Sequence, residues 1–378
     1  MIPARWIQTP ADLGRAAERL AGSAEMALDT EGVSLHHYPE RLALVQLASA
    51  SGDVWLVDPL AVEDLSPLGR IFAEAGTTTV LHAGDNDLTH LKRRYGFRFA
   101  SLFDTAVGAR FLGAAALGLD VLLERYLGTR LPPSRQKDDW SARPLTEAQL
   151  YYAAADVFHL IELKGRLVDE LERCGRLAWV EEECAALAAQ PVAERVEDPN
   201  SFTRLKGARE LSPRGLAVLK ELYELREHLA RTHDRPPFKI LSEETLVRLA
   251  QAAPRDGREL VQVPGCTPKV TARWGDAILE AVARGLALGD DELPRIEHRP
   301  RPRIAAAVQR RIERLRQWRS EAAPRVGIEP GLLLPNRLIT VIALAGPRDR
   351  AELARVDGVR RWRAEAFGGE MVAALGLA

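Results

Sequence analysis

The sequence is poor in cysteine and in aromatic residues, and it has no long apolar run. Its three cysteines, Cys174, Cys184 and Cys266, form no CxxC pair, which argues against a disulfide framework or a zinc ribbon. No run reaches the roughly 18 apolar residues that an ordinary transmembrane helix needs. The first residues also lack the basic head and apolar run of a signal peptide. These absences predict a cytoplasmic protein with no membrane partner.

Lysine is missing from the last part of the chain. From Arg295 onward the sequence has 17 arginines and 9 acidic residues, a net charge of +8, whereas the preceding residues carry −9 and the whole chain −1. A basic region beside an acidic body favours an anionic partner such as nucleic acid.

With 378 residues, of which 46% are hydrophobic and 28% charged, the chain is long enough for two or three globular domains. Residues 1–200 alternate strand and helix patterns. Apolar runs predict strands at 26–28, 42–47, 54–57 and 80–81, the first three as close neighbours. Helical periodicity predicts helices at 105–112, 119–127, 146–173 and 177–189. This mixture predicts an α/β domain with a mixed sheet.

Beyond residue 212 the pattern is helical and repeats at a spacing of 93 residues. Ala253-Pro254-Arg255-Asp256 aligns with Gly346-Pro347-Arg348-Asp349. The same offset pairs Leu222 with Leu315, Arg226 with Arg319, Gly265 with Gly358, and Trp274 with Phe367. We predict two copies of a helical module, at 210–288 and 304–378, joined by a proline-containing linker at 289–303.

Four acids and a tyrosine form a candidate site. Asp29 and Glu31 flank Thr30 at the end of the first apolar run, so their side chains share one face of a strand. Asp87 follows a later strand and enters a helix. Tyr152 and Asp156 are four residues apart, so they share one face of a helix.

Clustered carboxylates repel one another, and divalent cations relieve that repulsion. Hard oxygen ligands suit Mg²⁺ or Mn²⁺. Two such ions about 4 Å apart can stabilise the attacking and leaving oxygens in phosphodiester hydrolysis.

The ordered set Asp29-Thr30-Glu31, Asp87 and Tyr152-x3-Asp156 resembles the exonuclease motifs of the tyrosine subclass of the DEDD superfamily. The sequences Leu81-His82-Ala83-Gly84 and Asp139-Trp140-Ser141-Ala142-Arg143-Pro144 resemble the bacterial ribonuclease D family. The helical modules resemble HRDC domains, which are helical bundles found at the ends of ribonuclease D and RecQ helicases. The resemblance covers nearly the whole chain.

This resemblance implies an α/β ribonuclease H-like exonuclease domain with a mixed sheet, followed by two all-α HRDC-like bundles. It implies 3′→5′ hydrolysis of RNA to nucleoside monophosphates, with two Mg²⁺ or Mn²⁺ ions held by Asp29, Glu31, Asp87 and Asp156. Tyr152 would orient the nucleophilic water, and Tyr151 is the competing tyrosine. Gly32 stands where related enzymes often carry a bulky residue, so contacts to the terminal base are not predicted.

Several other residues have two interpretations. His82, Lys137 and Arg143 are candidate RNA contacts, against a hydrogen-bonded strand-end histidine and solvated loop charges. Trp140 is interpreted as a packing residue rather than a base-stacking one, and Asp104 as a helix N-cap rather than a catalytic residue.

The helix that begins near Ile304 has an apolar stripe, and arginines cover the rest of its surface. Arginine forks suit phosphates, so we predict that Arg310, Arg311 and Arg314 grip the RNA backbone, with Arg299, Arg301 and Arg303 extending the patch into the linker. The alternatives are a solvated helix face and a contact with the acidic N-terminal body.

The sequence therefore predicts a 3′→5′ exoribonuclease acting on RNA with an accessible 3′ end, such as tRNA precursors or other structured RNA. The alternatives are a DNA 3′→5′ exonuclease and a non-catalytic nucleic-acid-binding protein. All four acids and the tyrosine are present, which argues against an inactive site. The oligomeric state is not predicted.

Overall fold

The computed structural model describes residues 2–192, 198–296 and 304–376. The linker arginines Arg299, Arg301 and Arg303 lie outside these residues. Within them the strands are β1 (Ala4–Ile7), β2 (Glu25–Gly32), β3 (Leu42–Ser49), β4 (Val54–Val57), β5 (Thr78–Leu81) and β6 (Leu102–Asp104).

The helices of the α/β part are α1 (Pro10–Leu20), α2 (Ser66–Phe72), α3 (Asp85–Tyr95), α4 (Thr105–Phe111), α5 (Leu119–Leu127), α6 (Glu147–Phe158), α7 (Leu160–Arg173) and α8 (Leu177–Ala189). The first module contains α9 (Pro213–Thr232), α10 (Pro237–Ile240), α11 (Glu243–Ala252), α12 (Gly257–Leu260) and α13 (Pro268–Ala287), preceded by 3-10 turns at Ser201–Arg204 and Ala208–Glu210. The second contains α14 (Ala306–Val326), α15 (Pro330–Leu333), α16 (Asn336–Ala345), α17 (Arg350–Ala354) and α18 (Arg361–Leu375). None of these helices is both long and apolar enough to cross a membrane.

The strands form one mixed sheet in the order β1-β4-β3-β2-β5-β6. β1 runs parallel to β4, β3 antiparallel to β4, and both β2 and β6 parallel to β5. The predicted mixed sheet is confirmed, with β2, β3 and β4 as neighbours. The strand that carries Asp29 and Glu31 is therefore central in the sheet.

The sequence prediction does not include β1 and α1. β1 is hard to recognise because it has four residues, two of them exposed, and offers no apolar run. The start of α1 was nevertheless signalled by Thr9, whose side chain accepts the Asp12 N–H, and by Pro10.

The predicted helix at 146–173 is wrong as a single helix, because it divides into α6 and α7 at His159. No proline or glycine marks the break. α6 packs on β3 and β4, whereas α7 packs on α4 and α5, so each segment follows a different surface. The predicted start holds: Thr146 and Gln149 form a reciprocal capping box.

The two modules repeat the same backbone at the predicted offset. The short helices α10 and α15 start 93 residues apart, as do α11 and α16 and the long α13 and α18. Asp256 and Asp349 both cap the helix that follows, with φ of −144° and −143°. The duplication predicted from side chains is therefore present in the structure.

The described residues separate into two compact units. The first contains those within Met1–Glu31, Leu42–Ala193 and Pro302–Ala378; the second contains those within Gly32–Arg41 and Glu194–Arg301. In the first unit, one apolar core runs from the sheet through α8 into the second module. In the second unit, the first module has its own core, and Tyr38 packs against it and hydrogen-bonds through its hydroxyl to Glu227 (2.6 Å).

The second module docks on α8 through aromatic rings. The Trp362 ring stacks on Trp179 with centroids 4.8 Å apart and meets Phe111 edge-on at 5.3 Å. Around the rings, Glu183 accepts the Trp362 indole N–H (3.0 Å) and pairs with the buried Arg363 (2.8 Å).

Glu182 completes this interface. Its carboxylate accepts the backbone N–H groups of Arg361 (2.6 Å) and Trp362 (2.9 Å) at the start of α18. That helix has no side-chain cap of its own, because Arg360 stands at its N-cap position. A glutamate from α8 thus satisfies the helix terminus that the module leaves open.

This interface predicts that Trp362→Ala lowers the unfolding free energy of the first unit by about 3 kcal/mol, because the substitution leaves an aromatic-sized cavity. Lys269→Ala is the matched control, since Lys269 occupies the same position of the first module and is exposed. Urea unfolding followed by far-UV circular dichroism measures both. Equal midpoints for the two variants would contradict the assigned interface.

Candidate active site

Two elements bring three of the predicted acids together. β2 supplies Asp29 and Glu31 on one face, and α6 supplies Asp156 from above. Each carboxylate has an oxygen within 4.8 Å of the oxygens of the other two. Residues 153–155 of α6 are buried alanines, and their small side chains let the helix lie close to the sheet.

Asp87, the fourth acid, lies in the first turn of α3 and is 8% exposed. It is not part of the three-carboxylate group. Its Oδ1 instead accepts a hydrogen bond from the Thr30 hydroxyl, which projects from β2 between the two acids of that strand. Its charge still contributes to raising the pKa values of Asp29 and Glu31, so it lies beside the group.

Burial raises the pKa values of all four acids, and repulsion from the other acids adds to the rise for Asp29 and Glu31. Burial is the largest cause for Asp29, whose pKa lies well above its usual value and rises further through Asp87, Asp156 and Glu31. Burial, then Asp156 and Asp87, raises the pKa of Glu31 to about 9. Burial raises the pKa of Asp156 to about 7, and that of Asp87 also rises. The site therefore resists carrying its full negative charge.

Tyr152 is 5% exposed and contacts Asp156 through its hydroxyl, whereas Tyr151 is 40% exposed. Burial, followed by the charges of Asp156 and Glu31, raises the Tyr152 pKa far above that of a free phenol. Tyr152 consequently keeps its proton near neutral pH and can donate a hydrogen bond, but it cannot act as a base.

Trp140 is fully buried, with its ring centroid 6.0 Å from that of Tyr152. This placement supports the packing interpretation of Trp140. The indole holds the tyrosine ring from behind and has no surface on which a base could stack.

Arg143 is fully engaged inside the α/β part. Its Nε and Nη2 form a two-point contact with Asp58 (2.7 and 2.8 Å), and its other N–H groups donate to the carbonyls of Ala43, Trp140 and Ala142. Its guanidinium also lies over the Trp6 ring. We therefore leave Arg143 out of the RNA contacts that we propose.

His82 and Lys137 lie in different surroundings. The His82 Nδ1 is 2.8 Å from the Thr105 hydroxyl, and burial lowers the pKa of the ring, which agrees with a strand-end histidine held by hydrogen bonds. Lys137 is exposed on the segment between α5 and α6. Its neighbour Asp138 is close enough to contribute to the raised pKa of Glu31, so Lys137 stays a predicted RNA contact.

Sequence reasoning missed the roles of Thr30 and Asp138. Thr30 could have been noticed because a hydroxyl between two candidate acids can donate a hydrogen bond to a neighbouring carboxylate. Asp138 gave no such signal, because nothing in the sequence shows which side of its loop faces the acids.

The arginines of α14 divide into two groups. Arg311 donates to the Ala343 carbonyl (3.1 Å) and Arg314 to the Leu375 carbonyl (3.4 Å), so both satisfy C-terminal ends of neighbouring helices. Arg310 and Arg316 are exposed, and neither forms a hydrogen bond or ion pair with the described residues. Of the three predicted contacts on this helix, Arg310 alone makes no hydrogen bond or ion pair within the described part of the chain.

Comparison with known proteins defines the class first. The profile of the 3′-5′ exonuclease family matches residues 4–172, and the HRDC domain profile matches residues 215–282 and 308–375. The chain is therefore a 3′→5′ exonuclease carrying two HRDC domains, and the two HRDC matches show the same 93-residue offset.

Individual relatives give the family. Ribonuclease D of Pseudomonas paraeruginosa is 32% identical, covering 98% of this chain and 97% of that protein. Ribonuclease D of Acidiphilium cryptum is 34% identical, covering 96% and 91%. The crystal structure of Escherichia coli RNase D, described as an exoribonuclease involved in structured RNA processing, superposes with a TM-score of 0.71 at 27% identity, covering 99% of both chains. The chain belongs to the ribonuclease D family of exoribonucleases.

The raised acid pKa values predict how the metal-free protein responds to pH. Folded Asp156 titrates near pH 7, whereas unfolded it titrates near 3.8. Its stabilising contribution is therefore complete below pH 3.8 and is lost as pH rises through 7, at a cost of roughly 4 kcal/mol. In EDTA, thermal unfolding midpoints should fall more steeply between pH 5 and 8 in the wild type than in Asp156→Asn. Parallel pH profiles would contradict the assigned environment.

Proposed function

We propose that this exoribonuclease removes nucleotides from the 3′ end of structured RNA, tRNA precursors among them, at a two-metal site formed by Asp29, Glu31, Asp87 and Asp156. The observation that carries the proposal is the convergence of three carboxylates within 4.8 Å on a central strand and one helix, with the fourth acid beside them. The cytoplasmic location predicted from the sequence belongs to the same proposal, and the three free thiols are consistent with it.

The donor set fits divalent metal ions. All four groups are carboxylates, the hard oxygen ligands that Mg²⁺ and Mn²⁺ prefer. The raised pKa values come from burial and, for Asp29 and Glu31, also from the neighbouring acids; bound cations would favour the charged form of each acid. We assign Asp29, Glu31 and Asp156 as the central ligands and Asp87 as the ligand from α3.

When bound, the metal ions supply an acidified water and neutralise charge that develops on the phosphate. Tyr152, which stays protonated, contributes a hydrogen bond that orients the attacking water. Trp140 fixes the tyrosine ring, and α6 fixes the spacing of Tyr152 and Asp156. The chain thus supplies orientation, whereas the raised Tyr152 pKa excludes this side chain as the proton acceptor.

We expect Tyr152→Phe to reduce turnover by roughly 10²-fold, because the substitution removes the orienting hydroxyl and leaves the ring. Tyr151→Phe is the matched control and should keep wild-type turnover. The assay follows 5′-labelled RNA shortening from its 3′ end in Mn²⁺ or Mg²⁺. A larger loss in Tyr151→Phe would reassign the tyrosine.

The same assay tests the site and the substrate class. Asp156→Asn should abolish the metal-dependent ladder, and EDTA should abolish it in the wild type. Single-stranded RNA, DNA of the same sequence, and a tRNA precursor with a 3′ extension are compared. Faster cleavage of DNA would contradict the RNA preference, and an intact ladder in Asp156→Asn would contradict the site.

Arg310 and Arg316 are the arginines of α14 that we propose as RNA backbone contacts, because both are exposed and neither has a hydrogen-bond or ion-pair partner among the described residues. Binding of this kind neutralises phosphates and does not read sequence. Arg311 and Arg314 are proposed to support the module instead, through the carbonyls that they already bind. Lys137 is proposed as a further contact near the acids.

We expect Arg310→Gln combined with Arg316→Gln to weaken RNA binding and to lower the slope of log affinity against log salt by roughly 1.5, since each phosphate contact contributes about 0.7 to 0.9. The control changes Arg70 and Arg166, two exposed arginines of the α/β part, to Gln and removes the same charge. Fluorescence anisotropy at several salt concentrations measures both. An unchanged slope in the α14 variant, or an equal change in the control, would contradict this assignment.

A further inference from the structure

We propose that Asp104 is a positioning residue for Asp87: its carboxylate fixes the backbone turn that sets the start of α3 and so places the fourth acid of the site. The inference rests on the proposed function, because it takes Asp87 as a ligand of the metal site. It assigns to the chain a residue that touches neither RNA nor metal but acts through the backbone.

Asp104 ends β6 and is 1% exposed. Its Oδ1 accepts the backbone N–H groups of Ala106 (2.8 Å) and Val107 (3.2 Å), which is the N-cap of α4 predicted from the sequence. Two further hydrogen bonds join the Asp104 carboxylate to residues outside α4. Oδ1 also accepts the Ala83 N–H (3.1 Å), and Oδ2 accepts the Gly84 N–H (3.0 Å).

These two additional bonds hold a turn that the local sequence does not favour. Ala83 has a φ of 51°, in the left-handed region where a non-glycine residue is strained. Gly84 occupies the N-cap position of α3 and offers no capping side chain. A Cβ at Gly84 would lie 2.5 Å from a Leu81 methyl group, so a residue with a capping side chain would displace the Leu81 side chain.

Thr105 holds the other side of the same turn. Its hydroxyl donates to the Leu81 carbonyl (3.1 Å) and contacts the His82 ring (2.8 Å). The adjacent residues Asp104 and Thr105 therefore contact each of the four residues from 81 to 84. Capping of α4 explains the hydrogen bonds that Asp104 makes within that helix, but it does not explain the contacts with residues 81–84.

The position of Asp87 depends on this turn because it lies two residues after the first residue of α3. One residue of shift in the helix start rotates a side chain by about 100° around the axis. Such a rotation would carry the carboxylate away from Thr30 and from the other acids. Asp104 thus acts through the backbone on the same acid that Thr30 holds directly.

Asp104→Asn separates positioning from capping. Asparagine is as good an N-cap as aspartate, and its amide oxygen can keep the bonds from Ala83, Ala106 and Val107. Its NH₂ group then faces the Gly84 N–H, two donors in opposition, so the bond to Gly84 is lost. Asp349→Asn is the matched control, because Asp349 caps α17 through the Glu352 N–H without touching any residue of the site.

The experiment measures Mn²⁺ binding to the full chain by isothermal titration calorimetry, with thermal unfolding and RNA turnover alongside. We expect Asp104→Asn to bind Mn²⁺ at least about tenfold more weakly, with lower kcat and unchanged KM for RNA. Asp349→Asn should match the wild type in all three. Adding Ala83→Gly to Asp104→Asn should restore Mn²⁺ affinity about fivefold, since glycine adopts the left-handed conformation without strain.

Asp87→Asn separates the two proposals. If Asp87→Asn weakens Mn²⁺ binding and Asp104→Asn does not, the Asp104 proposal is overturned while the site stands. If Asp87→Asn changes neither Mn²⁺ binding nor turnover, the acid assignment itself fails. If Asp104→Asn does not fold and Ala83→Gly does not rescue it, Asp104 serves folding alone, and the positioning proposal is overturned.

Discussion

Repulsion among buried carboxylates is the constraint around which the α/β part is organised. Bringing Asp29, Glu31 and Asp156 within 4.8 Å of one another while they are largely shielded from water costs free energy. Favourable packing in the rest of the fold must offset this cost. The central position of β2, the buried alanines of α6 and the fully buried Trp140 all hold the acids where they would not gather unaided. Any reaction at these acids therefore requires the rigid packing that holds them together.

Two of the acids come from one strand and need no separate support, because alternation along β2 places them side by side. Asp87 and Asp156 come from helices, and each helix needs its own register. The capping box of Thr146 and Gln149 sets the start of α6 within its own sequence. The start of α3 has no local cap and depends on β6 and α4. The position of Asp87 therefore depends on distant parts of the chain more than the positions of the other three acids do.

The acids, the tyrosine, the mixed sheet and the duplicated module could be expected from the sequence, because each rests on a spacing that backbone geometry converts directly into a shared face or a repeat. Arg143, Arg311 and Arg314 illustrate what spacing does not show. Each is a charged residue in a plausible place for RNA, yet each donates to carbonyls or to Asp58 brought near only by tertiary folding. The group that a long, flexible arginine side chain contacts depends on residues that are distant in the sequence.

The helix cap that Glu182 provides to α18 makes the two modules differ in how far each depends on the rest of the chain. In the first module, Thr267 caps the corresponding helix α13 from its own sequence, and the module keeps a core of its own. The second copy depends instead on a glutamate of α8 for this cap and shares its core with the sheet. Recombination could move the first copy into another protein as a portable domain. The second would lose both its helix cap and part of its core if it were moved without the catalytic part, so the two copies of one module differ in whether they can be transplanted.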